Sequence, residues 1–519
     1  MSKLHHSRAS KSRSFRWLLR IIFPMVLAGF LSGCAGALQP VPSPDEFTPP
    51  PSSATQWSKL QEVRRDNWFH LLNTGSEALD WRLRAIDSAA DSIDLQTFIW
   101  DLDGSGELVR DHLLAAAARG VFVRVLVDDS FIMDADEELL DIDQHAHIEL
   151  KVFNPYKRRS NSAGLRQLLN MGEFHRLDHR MHNKVMVVDN RVAVMGGRNI
   201  ADHYFGFDES DNFRDMELVA GGAIVQELAD GFDSYWNNTW SFPVRAIMEQ
   251  RSGFVPTISP ATTSVADDYS HEELNPEELF EDWESLARSA HSGTPRLFLD
   301  EPPPEDPADP DEAPVQVAQE LIREIDDSNE EIWLVSAYLI PTQELEAAIQ
   351  RATARGVKVR ILTNSINSNN HLTAHSAYRK HIEQLLIDGA EVHELRADAA
   401  DRDLYIESPV GDKSLCLHAK LIVLDHDRVF IGSANLDPRS LNINTEMGLL
   451  IASESLNSAL REFVEPDFEL ENAWQLSLGR DGKVRWQSDT EVLDHQPTHS
   501  FMRRIEDWFL TLLPIEDEM

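Results

Sequence analysis

His182-Asn-Lys184-Val-Met-Val-Val-Asp189-Asn-Arg-Val-Ala-Val-Met-Gly196-Gly197-Arg-Asn199 and His418-Ala-Lys420-Leu-Ile-Val-Leu-Asp425-His-Asp-Arg-Val-Phe-Ile-Gly432-Ser433-Ala-Asn435 share one pattern, His-x-Lys-x4-Asp-x6-Gly-[Gly/Ser]-x-Asn. Each stretch reads as a β-hairpin. His and Lys two positions apart on a strand face the same side. The strand continues through branched apolar residues, turns at the Asp and returns through Val-Ala-Val or Val-Phe-Ile. The return strand ends in Gly-[Gly/Ser]-x-Asn, which brings the Asn back towards the His and Lys. One polar cluster is expected per hairpin.

The repetition extends upstream. Ser92-Ile-Asp-Leu-Gln-Thr-Phe-Ile99 is followed by a helical stretch ending at Arg119-Gly120 and by Val121-Phe-Val-Arg-Val-Leu-Val127. Glu331-Ile-Trp-Leu-Val-Ser-Ala-Tyr338 is followed in the same way by Arg355-Gly356 and Val357-Lys-Val-Arg-Ile-Leu362. Each unit is strand, helix, strand, with glycine where a helix terminates in a left-handed residue. A right-handed crossover makes its two strands parallel neighbours. The same offset, 236 residues, separates Gly120 from Gly356 and His182 from His418. The chain is therefore expected to be a duplicated α/β unit: two pseudo-symmetric halves, each a mixed β-sheet flanked by helices, with an active site at their interface.

The flanking composition divides the chain further. Residues 1–33 carry basic side chains as far as Arg20 and then an uncharged, mostly apolar run over 21–33, as in an export signal; 13 residues fall short of the roughly 20 that span a bilayer. Leu31-Ser32-Gly33-Cys34 resembles a bacterial lipobox, which implies lipidation of Cys34 and a stable hold on a membrane. Ala35 in the next position implies the outer membrane, with the protein facing the periplasm. The Pro-rich stretch 34–56 reads as a tether reaching roughly 60 Å at about 3 Å per residue. A first half over 57–263, an acidic Pro-rich connection over 264–314 and a second half over 315–519 complete the division. Within the connection, 267–284 holds nine acidic residues and neither Lys nor Arg. Cys416 is the one cysteine besides Cys34, so the mature chain has no intramolecular disulfide framework. The formal net charge of −39 repels polyanions, and nucleic acid is not an expected partner.

Two such clusters brought together suit a phosphodiester. Lys184, Lys420, Asn199 and Asn435 can hold nonbridging oxygens by charge-assisted hydrogen bonds. One of His182 and His418 can attack phosphorus while the other protonates the departing oxygen. The lysines supply the positive charge that metal ions supply elsewhere, so neither metal nor cofactor is required. Asp189 and Asp425 open hairpin turns, and a structural role is expected before a catalytic one. Glu217 and Glu446, each ahead of an apolar run, are the acids expected to orient the histidines.

These are HKD motifs, and the chain resembles the phospholipase D superfamily. Met195-Gly-Gly-Arg-Asn-Ile200, Asn212-Phe-Arg-Asp, Asp233-Ser-Tyr-Trp-Asn237, Leu362-Thr-Asn-Ser365, Asn435-Leu-Asp-Pro-Arg-Ser440 and Leu513-Pro-Ile-Glu516 extend the likeness to the bacterial cardiolipin synthase C type. The resemblance covers most of residues 65–519. It implies a phospholipase D-like fold and transfer of a phosphatidyl group between phospholipids, with phosphatidylglycerol and phosphatidylethanolamine as candidate substrates. Order within the family implies His182 as nucleophile and His418 as acid. The lipobox and tether depart from what the branch leads one to expect. Hydrolysis to phosphatidic acid, nuclease action, and a membrane-bound lipid-binding module with an inactive site are the competing readings.

Other residues have competing uses. His175, His179 and His182 have a metal-like spacing without a Cys or carboxylate cluster to complete it, and no metal site is expected. His371, His375, Tyr378 and Arg379 either touch a lipid headgroup or cap and pack. Cys416 is expected as a small buried residue. Phe501, Ile505, Trp508, Phe509 and Leu512 form an apolar helical stripe expected to dock on the core.

Overall fold

The unbroken apolar character of the two hairpins follows from burial on both faces of each sheet. Val185 and Val187 lie in a core shared with the second half, whereas Met186 and Val188 pack in the core under the first half's outer helices. Leu421 and Val423 alternate with Ile422 and Leu424 in the same fashion. The computed structural model describes residues 45–130, 136–158, 166, 169–170, 173–249, 275–303, 316–498, 503, 506–507 and 510. Residues 1–33, Cys34, and the stripe Phe501, Ile505, Trp508, Phe509 and Leu512 lie outside them.

Both hairpins form as the spacing predicts. Strand Val185–Val188 pairs antiparallel with Val192–Gly196, and Lys420–Leu424 with Arg428–Gly432. Asp189 and Asn190 turn with φ of 54° and 51°, both left-handed, in the three-residue connection between the paired Val188 and Val192. The Asp189 carboxylate accepts the backbone N–H groups of Ala90, Asp91 and Ser92 (2.7–2.8 Å) and the Trp57 indole N–H (2.5 Å). Asp425 does the same for Asn329, Glu330 and Glu331. Burial raises its pKa, but those backbone donors outweigh burial and leave it lowered. Both aspartates thus lash the hairpin turn to the start of the neighbouring strand.

The crossovers also form. Ser92–Thr97 pairs parallel with Phe122–Asp128 after helix Gly104–Ala118, and Glu331–Ser336 with Lys358–Asn364 after helix Gln343–Ala354. Gly120 (φ 98°) and Gly356 (φ 89°) end those helices in the left-handed conformation. The first sheet runs His291–Ser292, Trp68–Leu72, Glu217–Gly221, Val192–Gly196, Val185–Val188, Ser92–Thr97, Phe122–Asp128, Ile148–Phe153, Ser241–Pro243. The second begins at Thr294–Leu299 and continues through Met447–Ala452, Arg428–Gly432, Lys420–Leu424, Glu331–Ser336, Lys358–Asn364, Glu391–Leu395 and Ala473–Leu478. Strand for strand this repeats the order from Trp68–Leu72 to Ser241–Pro243, and two short strands extend it. The sheets share a core to which helices Ile224–Trp236 and Glu454–Val464 contribute Leu228 and Leu460. The parallel pair Ser414–Leu417 and Asp211–Arg214 ties the halves together.

Two expected boundaries move. The end of the 34–56 tether is held down: Arg124 donates to the Glu46 carbonyl (3.1 Å), Thr48 N–H to Asp233 (2.8 Å) and Ser52 N–H to the Asp189 carbonyl (2.9 Å). Proline-rich composition signals an extended chain, and here that chain lies along the first half's surface. The 264–314 connection contains two ordered elements. Helix Pro276–Ser289 packs Trp283 against Trp57 and Trp81 of the first half, and strand Thr294–Leu299 joins the second sheet. Acidic side chains on the solvent face hid an amphipathic helix whose buried stripe is Leu279, Trp283, Leu286 and Ala287. Among the described residues, no helix is long and apolar enough to cross a membrane.

Candidate active site

Neither histidine belongs to the regular ladder: the paired strands begin at Val185 and Lys420. Each is held by the opposite half. His182 N–H donates to the Thr445 carbonyl (2.9 Å), and His418 N–H to the Arg214 carbonyl (2.8 Å). The residue after each acceptor is an acid. Glu446 receives His182 Nδ1 at 2.9 Å, and Asp215 receives His418 Nδ1 at 2.6 Å. With Nδ1–H committed to a carboxylate, Nε2 is the ring nitrogen that remains for a ligand, and that of His418 already lies 3.1 Å from Lys420 Nζ.

Glu446 lies where the sequence places it, but Glu217 does not face His418. Its carboxylate takes Arg82 Nη1 at 2.6 Å and forms a second bond to Nη2, a buried structural pair. Sheet register explains the slip. Gly196 pairs with Glu217 and Gly432 with Gly448, so the counterpart of Glu446 is two residues before Glu217. The signal was present as acid-Met: Asp215-Met216 and Glu446-Met447. The motif's variable position follows the acid. Ser433 Oγ donates to Glu446, whereas a Cβ at Gly197 would stand 2.3 Å from Asp215 Oδ1.

His182, Lys184, Asn199, His418, Lys420 and Asn435 are all buried. Lys184 Nζ donates to the His182 carbonyl (2.6 Å) and Lys420 Nζ to the His418 carbonyl (2.5 Å). The asparagines differ. Asn199 accepts from Ile99 N–H (3.1 Å) and donates to the Tyr204 hydroxyl (2.8 Å), so part of its amide is committed to structure. Asn435 Oδ1 is buried with no hydrogen-bond partner among the described residues. Phe98 meets the His182 ring edge-on at 4.9 Å; Phe213 stacks on His418 at 5.0 Å, and Tyr204 meets it edge-on at 5.0 Å.

Burial dominates the electrostatics. It pushes His182 down to about 4, against the opposing pull of Glu446. It also drives His418 well below its ordinary value, with Lys420 and Lys184 adding to the effect. Lys184 falls to about 7 and Lys420 to about 8, again through burial. The two acids diverge. Burial raises Asp215. Glu446 is lowered, because His182, Lys184 and the Ser433 hydroxyl outweigh its burial. The arrangement is a buried cluster of two imidazoles and two lysine amines whose charged forms an anion stabilises.

The family described as cardiolipin synthase, PLD-like domain matches residues 83–236 and 321–467, more than half of the chain and one segment in each half. The chain belongs to the phospholipase D superfamily. It is 34% identical over 462 residues to cardiolipin synthase C of Escherichia coli (strain K12), covering 86% of this chain and 94% of that protein. It is 25% identical over 438 residues to cardiolipin synthase 1 of Bacillus cereus, covering 84% and 71%. The crystal structure of phosphatidylserine synthase from Haemophilus influenzae superposes with a TM-score of 0.54 at 13% identity, over 88% of this chain and all of that one, and shares its fold. At the level of the family, this phospholipase D-type chain is a phosphatidyltransferase acting on phospholipids.

Around this phospholipase D-like centre the remaining candidates fall out as follows. Cys416 is buried, and burial pushes its thiol up to about 12. Tyr378 bonds Glu394 (3.3 Å) and Arg379 pairs with Asp507 (2.7 Å), so these two brace the helix Leu372–Tyr378. His375 is buried in the same helix, and exposed His371 packs edge-on against Tyr338. His179 Nδ1 lies 2.8 Å from the Ile443 carbonyl; the His175 side chain is outside the described residues.

Gly197→Ser should displace the Asp215 carboxylate, unfix His418 and lower turnover by about 10- to 100-fold. Ser433→Gly removes one hydrogen bond and should lower it less; steady-state assays of the two variants check the ranking. The pH profile of kcat/KM should rise near pH 4, as His182 loses its proton and frees Nε2, and fall between about 7 and 8, as Lys184 and Lys420 in the free enzyme lose theirs. A descending limb near pH 10, the ordinary range of a lysine, would show that burial does not depress Lys184 and Lys420.

Proposed function

We propose that this enzyme transfers a phosphatidyl group from one phospholipid to the alcohol of another, cardiolipin synthesis from phosphatidylglycerol being the expected reaction, through a phosphohistidine on His182. The observation that carries the reading is the pair of imidazoles, each with Nδ1 tied to an acid from the opposite half, with His182 Nε2 turned to the substrate and His418 Nε2 beside Lys420 Nζ at 3.1 Å. His182 Nε2 forms a bond to phosphorus as the bond to the first alcohol breaks, and His418 delivers the proton that this oxygen takes. His418 then accepts the proton of the incoming alcohol, whose oxygen displaces His182. Burial disfavours imidazolium in the empty site, and the phosphodiester anion supplies the counter-charge that His418 needs to act as acid. The ionised Glu446 suits a nucleophile, because it fixes the Nδ1 proton and stabilises positive charge on the phosphorylated ring. Lys184, Lys420 and the amide N–H groups of Asn435 are the donors that complete the phosphate site.

Exchange of one phosphodiester for another requires no nucleotide, and the lysines take the place of a metal. Water competes with the acceptor alcohol, so transfer depends on holding that alcohol close and in line. The lipobox-like Leu31-Ser-Gly-Cys34 supports a lipid anchor facing the periplasm, on the outer membrane by the residue that follows. Mass spectrometry of the mature N-terminus should find an acylated Cys34; an unmodified cysteine would remove the anchor.

Purified protein in vesicles of phosphatidylglycerol, with and without phosphatidylethanolamine, should make cardiolipin faster than phosphatidic acid, and should do so in EDTA. His182→Ala and His418→Ala should each abolish the product. Phosphatidic acid as the main product in every lipid mixture would establish a hydrolase, and cleavage of DNA without lipid turnover a nuclease.

A further inference from the structure

The strand Thr294–Leu299 ends at a carboxylate that reaches the catalytic machinery from behind. Asp300 is 2% exposed. Its N–H donates to the Glu446 carbonyl (3.0 Å), and its Oδ2 accepts the Glu446 N–H (3.0 Å). Glu446 is therefore gripped at both its backbone groups by one residue. The other oxygen, Oδ1, accepts the N–H of Val317 at the start of helix Gln316–Asp327 (2.9 Å). The Asp300 carbonyl accepts the Tyr235 hydroxyl from the first half (2.7 Å). Glu446 in turn holds His182 Nδ1.

Duplication does not require this acid. Leu72 pairs with Glu217 and Phe298 with Gly448, and those partners face Gly196 and Gly432, so Thr74 is the counterpart of Asp300. Thr74 caps its own helix by accepting the Glu77 N–H. A hydroxyl suffices for the helix cap in the half that serves His418. In the half that serves His182 a buried carboxylate replaces it and adds the contact to Glu446. No ammonium or guanidinium group bonds this carboxylate among the described residues; burial, with Glu446 nearby, pushes it up to about 7.

We propose that Asp300 is a positioning residue for the nucleophilic histidine: by clamping the Glu446 backbone it sets the reach of the Glu446 carboxylate and hence the orientation of His182 Nε2. The proposal rests on the reading of His182 as the attacking group. A bond two residues removed from the reacting atom acts on the barrier rather than on lipid binding, so kcat is the quantity it moves.

The test uses the full-length protein in vesicles of phosphatidylglycerol and phosphatidylethanolamine. Asp300→Ala should lower kcat by about tenfold or more with KM unchanged. Asp300→Asn, which keeps an acceptor oxygen for the Glu446 N–H, should recover most of that loss. Val317→Pro removes one N–H on the capping side, leaves the Asp300 contact to Glu446 in place, and should lower the melting temperature while sparing kcat. In protein labelled with 15N-histidine, the His182 Nδ1–H resonance should shift in Asp300→Ala and hold its position in Val317→Pro. This signal needs no turnover, so failure of the transferase reading shows separately, as wild type that makes no cardiolipin. An unmoved Nδ1–H resonance in Asp300→Ala, or equal losses of kcat in Asp300→Ala and Val317→Pro, would reduce Asp300 to a helix cap and overturn the proposal.

Discussion

The hydrogen bond between a histidine of one half and a carboxylate of the other is the constraint on which the rest of this structure depends. It occurs twice, as His182–Glu446 and His418–Asp215, and each is reinforced by a backbone bond from the histidine to the residue before the acid. Neither half holds a complete centre. A buried imidazole needs a partner for Nδ1, and the partner arrives only when the two sheets close on their common core. The site is complete only when both halves are in place.

Removal of water gives the site its character. The two lysines and two histidines are buried together, and their protonated forms are disfavoured until an anion enters. A phosphodiester restores the missing negative charge, so binding and activation draw on the same interaction. The large negative charge of the chain as a whole does not govern this pocket, since the buried groups respond to neighbours a few ångströms away.

The two halves share a plan and differ in detail. Strand order is kept over eight strands, both hairpin turns keep an aspartate that binds the next strand's amides, and both crossover helices end on a left-handed glycine. Around the histidines the halves differ: Glu446 with Ser433 against Asp215 with Gly197, Asp300 against Thr74, an open Asn435 against a committed Asn199. The proposed mechanism, in which one histidine attacks and the other protonates, gives a reason for that asymmetry.

The sequence by itself determined the elements whose information is local. Period-two burial, turn residues, helix-ending glycines and the 236-residue offset specify hairpins, crossovers and the duplication, and spacing alone names His182, Lys184, Asn199 and their partners. Composition without periodicity does not report order within the linkers: the acidic helix Pro276–Ser289 buries a tryptophan, and the described end of the proline-rich segment is hydrogen-bonded to Arg124 and Asp233. What only the tertiary structure decided was pairing across the halves. Asp215 and Glu217 are two residues apart on one chain segment and equally acidic. Register against Gly196 sends one to His418 and the other to Arg82. That choice depends on how two sheets meet, because a carboxylate's role is set by the groups that surround it in space.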